Sequence, residues 1–100
     1  MKLVWSPLAL SRVEEIVEYI GCDRPGVARE WVVGLFENVN TLAMFPQKGR
    51  VVREVGRADI REIVYKRHRV VYRTEATRVA ILTVRHGRRL LDLNEIQIEP

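Results

Sequence analysis

Residues 60–86 read IREIVYKRHRVVYRTEATRVAILTVRH, and their period organises everything around them. Three runs, at about 60–66, 69–74 and 78–86, are each rich in Val, Ile, Tyr or Thr, the residue types that suit a pleated, half-buried surface. The residues between them, 66–68 (Lys, Arg, His) and 75–77 (Glu, Ala, Thr), are short enough for hairpin turns. The stretch predicts a three-stranded antiparallel meander.

Upstream of it, PQKGRVVREVGRA at 46–58 holds Gly49 and Gly56 and reads as an ordered loop or a short edge strand. Further upstream the period becomes helical. Ala28, Trp31, Val32, Leu35, Val39, Leu42 and Ala43 form one apolar stripe, opened at Asp23 or Gly26 near Pro25 and ended by Phe45-Pro46. Ala9, Val13, Ile16, Val17 and Ile20 form another, with Glu14, Glu15 and Glu18 on its polar side. Ser6 can cap that first helix, Pro7 suits its first position, and Gly21 is placed to close it in the left-handed conformation. The few residues between the stripes favour an antiparallel helix hairpin. KLVW at 2–5 reads as a strand that must join the meander's sheet. The expected fold is α+β: an N-terminal strand, then an antiparallel helix hairpin packed on a small antiparallel β-sheet, all in one domain over 1–100. The helices cover one face of the sheet, and the other face is either solvated or a binding surface. The tail LLDLNEIQIEP at 90–100 reads equally as a last strand or a short helix.

The chain has 100 residues, 47% of them hydrophobic and 30% charged, as expected of a globular domain rather than a disordered one. The net charge of +4 conceals a division. Residues 1–47 carry four Lys/Arg against six Asp/Glu, residues 48–89 carry thirteen against four, and residues 90–100 carry three acids and no base. A segment of +9 inside a small protein points to an anionic partner: nucleic acid, an acidic protein or a membrane surface. Cys22 is the only cysteine, which excludes an intrachain disulfide and a Cys-based zinc cage and fits a cytoplasmic setting. MKLVWSPLAL lacks the long apolar core of a secretory signal, and no run approaches a membrane span. There is no phosphate-cradling glycine motif, so neither cofactor nor metal is expected.

Alternation along the strands sorts the basic side chains. Arg69, Val71 and Arg73 share one face, opposite Val70, Tyr72 and Thr74. Arg61, Ile63 and Tyr65 oppose Ile60, Glu62 and Val64. Arg78, Ala80, Leu82, Val84 and His86 oppose Val79, Ile81, Thr83 and Arg85. A face with two arginines and a valine is not a core face. It is either a basic surface that receives phosphates or carboxylates, or a solvated face whose arginine stems cover apolar neighbours. The candidate binding residues are Arg50, Arg53, Arg57, Arg61, Arg69 and Arg73. His86, within RHGRR, is the histidine best placed for acid–base work, while His68 falls in an exposed turn. No Ser-His-Asp or metal-ligand spacing is present, so the residues favour binding over catalysis.

WSPLAL opening the first helix, FPQKGRVVRE after the second, REIVYKRHRVVYR across a hairpin and VAILTVRHGRR in the last strand together resemble the RelE/ParE superfamily of bacterial toxins from type II toxin–antitoxin pairs. The resemblance covers nearly the whole chain. It implies a small antitoxin that wraps and neutralises the toxin, forming a hetero-oligomer. For members that cleave mRNA on the ribosome, it also implies a catalytic set to which Arg69, His86, Arg88 and Arg89 would correspond. The chain departs from that branch. Glu62 and Val64 replace its paired lysines, and no tyrosine follows residue 72. Glu54 is a candidate base without a secure counterpart. ParE-type members, by contrast, are similar to inhibitors of DNA gyrase that need no chemistry of their own, and the chain is closer to them. The expected function is therefore gyrase inhibition. Ribosome-dependent mRNA cleavage and an inactive, antitoxin-binding relative remain the alternatives.

Overall fold

The computed structural model describes residues 1–96. Its elements are β1 (Lys2–Trp5), α1 (Pro7–Gly21), α2 (Pro25–Asn40), a 3₁₀ turn at Thr41–Ala43, β2 (Arg50–Val51), β3 (Ile60–Tyr65), β4 (His68–Thr74), β5 (Arg78–His86) and a 3₁₀ turn at Leu93–Glu95. They form one five-stranded sheet in the order β1-β5-β4-β3-β2. The meander is antiparallel as expected, whereas β1 lies parallel to β5, Leu3 opposite Val79. A parallel neighbour needs a long crossover, and the helix hairpin begins it. The described part of the tail forms a short 3₁₀ turn rather than a strand, and Ile98 lies outside the described residues.

Two strand boundaries move. Tyr65 pairs directly with His68, so the turn between β3 and β4 is Lys66-Arg67 alone. A two-residue hairpin turn needs left-handed backbone, and Lys66 supplies it with φ of 53°. His68 is thereby the first residue of β4 and half-buried, not exposed in a turn.

The Ser6 hydroxyl accepts the Ala9 N–H at 3.0 Å, and Pro7 occupies the first turn of α1. Gly21 does not close α1 in a left-handed conformation. The helix runs through it to a right-handed cap at Cys22, whose N–H bonds Glu18 O. α2 buries Ala28, Trp31, Leu35 and Val39, and Leu42 extends the stripe into the 3₁₀ turn. These meet Ala9 and Val13 of α1 and Val70, Tyr72, Val79, Ile81 and Val84 of the sheet in the main core. Tyr65 donates its hydroxyl to Trp31 O at 2.9 Å. Gly34 permits that approach, because a Cβ there would lie 2.2 Å from the tyrosine oxygen.

Alternation holds along β3 and β4 but breaks in β5. Val71 pairs with Thr83 and Tyr72 with Ile81, which leaves Leu82 without a partner residue. This β-bulge inserts one residue and reverses the facing of everything after it. Val84 therefore packs toward the helices with Val79 and Ile81, while Thr83 turns to the opposite face. The expected grouping of Val84 and His86 with Ala80 and Leu82 is corrected accordingly. Ser6 serves the bulge too, its hydroxyl donating to Leu82 O at 2.9 Å.

The face away from the helices is not simply solvated. Val52, Ile60, Val71, Ala80, Leu82, Leu91 and Ile96 form a second buried cluster there, built from the sheet, the loop after β2 and the tail. The expectation that the Arg69/Val71/Arg73 face is not a core face fails at Val71, which is fully buried.

Gly34→Ala is expected to destabilise the protein by about 2 kcal/mol through overpacking, although an alanine ordinarily favours a helix. In a Tyr65→Phe background most of that cost should vanish, because the clashing oxygen is gone. Equal costs in both backgrounds, measured by chemical denaturation, would refute the contact.

Candidate functional site

Arg69 stands on the outer face of β4, opposite Val64 of β3 and Arg85 of β5. A buried guanidinium must find compensating charge, and Arg69 finds two carboxylates. Its Nη1 and Nη2 donate to the two oxygens of Glu54 at 2.8 and 2.9 Å, a bidentate pair. Its Nε donates to Glu62 Oε1 at 2.9 Å, and Nη2 also reaches that oxygen. The other Glu62 oxygen accepts Arg50 Nε at 2.9 Å. Two guanidiniums and two carboxylates thus cancel. Glu54 also accepts the Leu91 N–H at 3.3 Å, and Arg69 reaches Arg89 O at 3.4 Å, which ties the tail to the sheet. The hydrogen bonds from Arg69 outweigh burial and hold the Glu54 carboxyl down at about 2 from its ordinary 4.5. The Glu54 hydrogen bonds, against opposing desolvation, in turn raise Arg69.

Beside this neutral quartet the charge is not cancelled. A cleft of about 420 Å³ opens at the end of the sheet, lined by Arg50, Lys66, Arg67, Arg69, His86 and Arg88, with Val64 and Gly87. The β3–β4 turn and the end of β5 meet there, with Gly87 N–H donating to Arg67 O at 2.7 Å. Lys66, Arg67 and Arg88 have no carboxylate partner among the described residues. His86 Nδ1 accepts the Arg88 N–H at 3.2 Å, which engages that ring nitrogen as an acceptor. The His68 ring meets those of Trp31 and His86 edge-on, with centroids 5.2 and 5.5 Å away. Burial, then the neighbouring His86, lowers the His68 pKa and favours its neutral form.

The expected binding arginines do not form one patch. Arg50 and exposed Arg53 flank the outer face next to Glu54. Arg57 pairs with Asp59 at 2.6 Å and Arg73 with Glu75 at 2.9 Å, both toward the opposite end of the strands. Arg61 faces the helix side and donates to Gly49 O at 2.8 Å. Arg88 lines the cationic cleft, and Arg89 lines a neighbouring cleft with Arg12, Glu15 and Tyr19 of α1. Lys66 and Arg67 join the cleft without having been singled out from the sequence. The available signal was a two-residue turn inside the run KRHR, which drives its side chains out of the sheet.

Among the described residues, no group of three or more His, Cys, Asp or Glu is placed to hold a metal ion, and no helix is long and apolar enough to cross a membrane. What the fold and the site define is a small α+β protein with a cationic cleft at one end of its sheet. Residues 3–91 match the family model of the ParE toxin of type II toxin–antitoxin systems, parDE, and the chain belongs to that family. Among solved structures it is similar to a chain of the chromosomal ParDE TA system from P. aeruginosa, with a TM-score of 0.73 at 19% identity over 86% of this chain and 95% of that one. No curated sequence matches the chain.

Glu54→Gln should cost on the order of 2 kcal/mol at neutral pH by removing the charge of one partly buried partner of the buried Arg69. Because the folded-state pKa of Glu54 is depressed, its contribution is present above the ordinary carboxylate range and lost as pH falls from 4.5 toward about 2. The stability gap between wild type and variant should close over that window, and a gap that stays constant with pH would contradict the assignment.

Proposed function

We propose that the protein is a growth-arresting toxin that inhibits DNA gyrase without catalysing a reaction itself, and that a cognate small antitoxin neutralises it. Family membership supports the toxin half of this reading. The observation that carries the non-enzymatic half is the pairing of Arg69 with Glu54. In a ribosome-dependent nuclease these two residues would be the first candidates for binding scissile phosphate and for taking a proton. Here each is bound to the other, and a carboxylate held at about 2 is a weak base at neutral pH. Arg69 acts instead as a positioning residue for the tail and the loop after β2. Arg88 and Arg89 remain exposed as binding residues.

The antitoxin is expected to be an acidic, partly disordered chain that orders on binding. Its apolar positions would cover the helix hairpin, where Leu10, Tyr19, Val27 and Val33 are exposed. Its acidic positions would reach the basic outer face around Arg50 and Arg53. The cytoplasm, where gyrase and antitoxin reside, is the setting this function requires.

Purified protein should inhibit supercoiling by gyrase and accumulate cleaved DNA, while ribosomes programmed with mRNA show no cut in the A site. His86→Ala should leave growth arrest intact. Ribosome-dependent cleavage that disappears in His86→Ala would transfer the assignment to the nuclease alternative. A folded protein that arrests no growth would make it an inactive relative.

A further inference from the structure

The cationic cleft has a chemistry of its own. Among the described residues its lining contains no carboxylate, and Arg69 and Arg50 are already paired with Glu54 and Glu62. The charge left to meet a ligand is that of Lys66, Arg67 and Arg88, on two segments that a backbone hydrogen bond holds together. An acidic peptide would also need apolar pockets for its anchoring side chains. Among the described residues the only large apolar side chain in the lining is Val64. Exposed Val51 and Leu90 lie outside it on the neighbouring outer face, and Leu10, Tyr19, Val27, Val33, Met44 and Phe45 are exposed on the helices and just after them. Single-stranded nucleic acid is held on aromatic platforms, and the lining has no Phe, Tyr or Trp. What suits converging, unpaired donors without stacking or apolar anchors is a regular array of phosphates.

We infer that this cleft, through Lys66, Arg67 and Arg88, is a docking site for the phosphodiester backbone of duplex DNA. The site goes beyond gyrase inhibition, since the contact forms on DNA alone. In a complex with gyrase it would add the DNA segment as a second point of attachment.

The test is fluorescence anisotropy of a labelled DNA duplex with the full chain and no gyrase present. Neutralising three phosphates predicts a log–log salt slope of about −2.7, or roughly fortyfold weaker binding between about 50 and 200 mM salt. Lys66→Gly/Arg67→Ala/Arg88→Ala should weaken binding at least tenfold and flatten the slope. Glycine suits the left-handed backbone at residue 66, so thermal unfolding should remain close to wild type. Should this variant fail to fold, the single charge reversals Arg67→Glu and Arg88→Glu, both at exposed positions, should each weaken binding in the same way. Lys2→Ala/Arg24→Ala/Arg29→Ala removes the same charge from exposed positions away from the cleft and should keep wild-type affinity. The inference is overturned if the wild type does not bind at low salt, or if both triple variants lose affinity equally. It is also overturned if a single-stranded RNA or a Glu-rich peptide of matched charge binds more tightly than the duplex. Gyrase supercoiling, measured in parallel, fails or succeeds independently of this result.

Discussion

A guanidinium on the outer face of a small sheet stays buried only if its charge is met, and Arg69 meets carboxylates from two parts of the chain. Glu62 comes from the neighbouring strand, Glu54 from the loop after β2. Through Glu54 the same network reaches the Leu91 N–H, and through Arg69 it reaches Arg89 O. The second core of Val52, Ile60, Val71, Leu91 and Ile96 closes beside these bonds. The bonds pin Glu54 of the loop and the start of the tail at Leu91 over that face, where the cluster covers Val71 and Leu82. A second set of ion pairs holds the tail further on, where Glu95 meets Arg12 at 3.1 Å and Arg85 at 2.7 Å, linking it to α1 and β5.

This arrangement separates two uses of positive charge that composition cannot distinguish. Arg50, Arg57, Arg69, Arg73 and Arg85 are paired with carboxylates and serve the fold. Lys66, Arg67 and Arg88, without carboxylate partners among the described residues, gather at one end of the sheet. Part of the charge excess of the 48–89 segment thus gathers where the β3–β4 turn meets the end of β5. The cationic character of that cleft follows from which cations are left unpaired there, not from how many the chain contains.

The helix stripes, the meander and the capping Ser6 were legible in the sequence because each rests on local periodicity or on a short side-chain reach. The parallel docking of β1 on β5 was less so, since it pairs residues far apart in the chain. The bulge at Leu82 was not legible at all. VAILTV alternates without a glycine or other marker, and only the pairing with β4 shows that a residue is left over. The site was half legible for a similar reason. Strand alternation placed Arg69 and Glu62 on correct faces but could not show that Glu54 folds back onto them. Nor could it show that Leu91 and Ile96 cover Val71. Strand alternation puts Arg57 and Arg73 in a basic stretch but does not show that Asp59 and Glu75 lie within reach to pair with them.

The central claim is that Arg69 and Glu54 hold the outer face together as an interacting pair. A double-mutant cycle on unfolding free energy, with Arg69→Met, Glu54→Gln and the combined variant, measures that coupling directly. The pair's bidentate, largely buried geometry predicts a coupling energy of about 2 kcal/mol, with the double variant far less destabilised than the two single costs added together. A coupling within about 0.3 kcal/mol of zero would mean that the two side chains contribute independently, and the account of the outer face would be wrong.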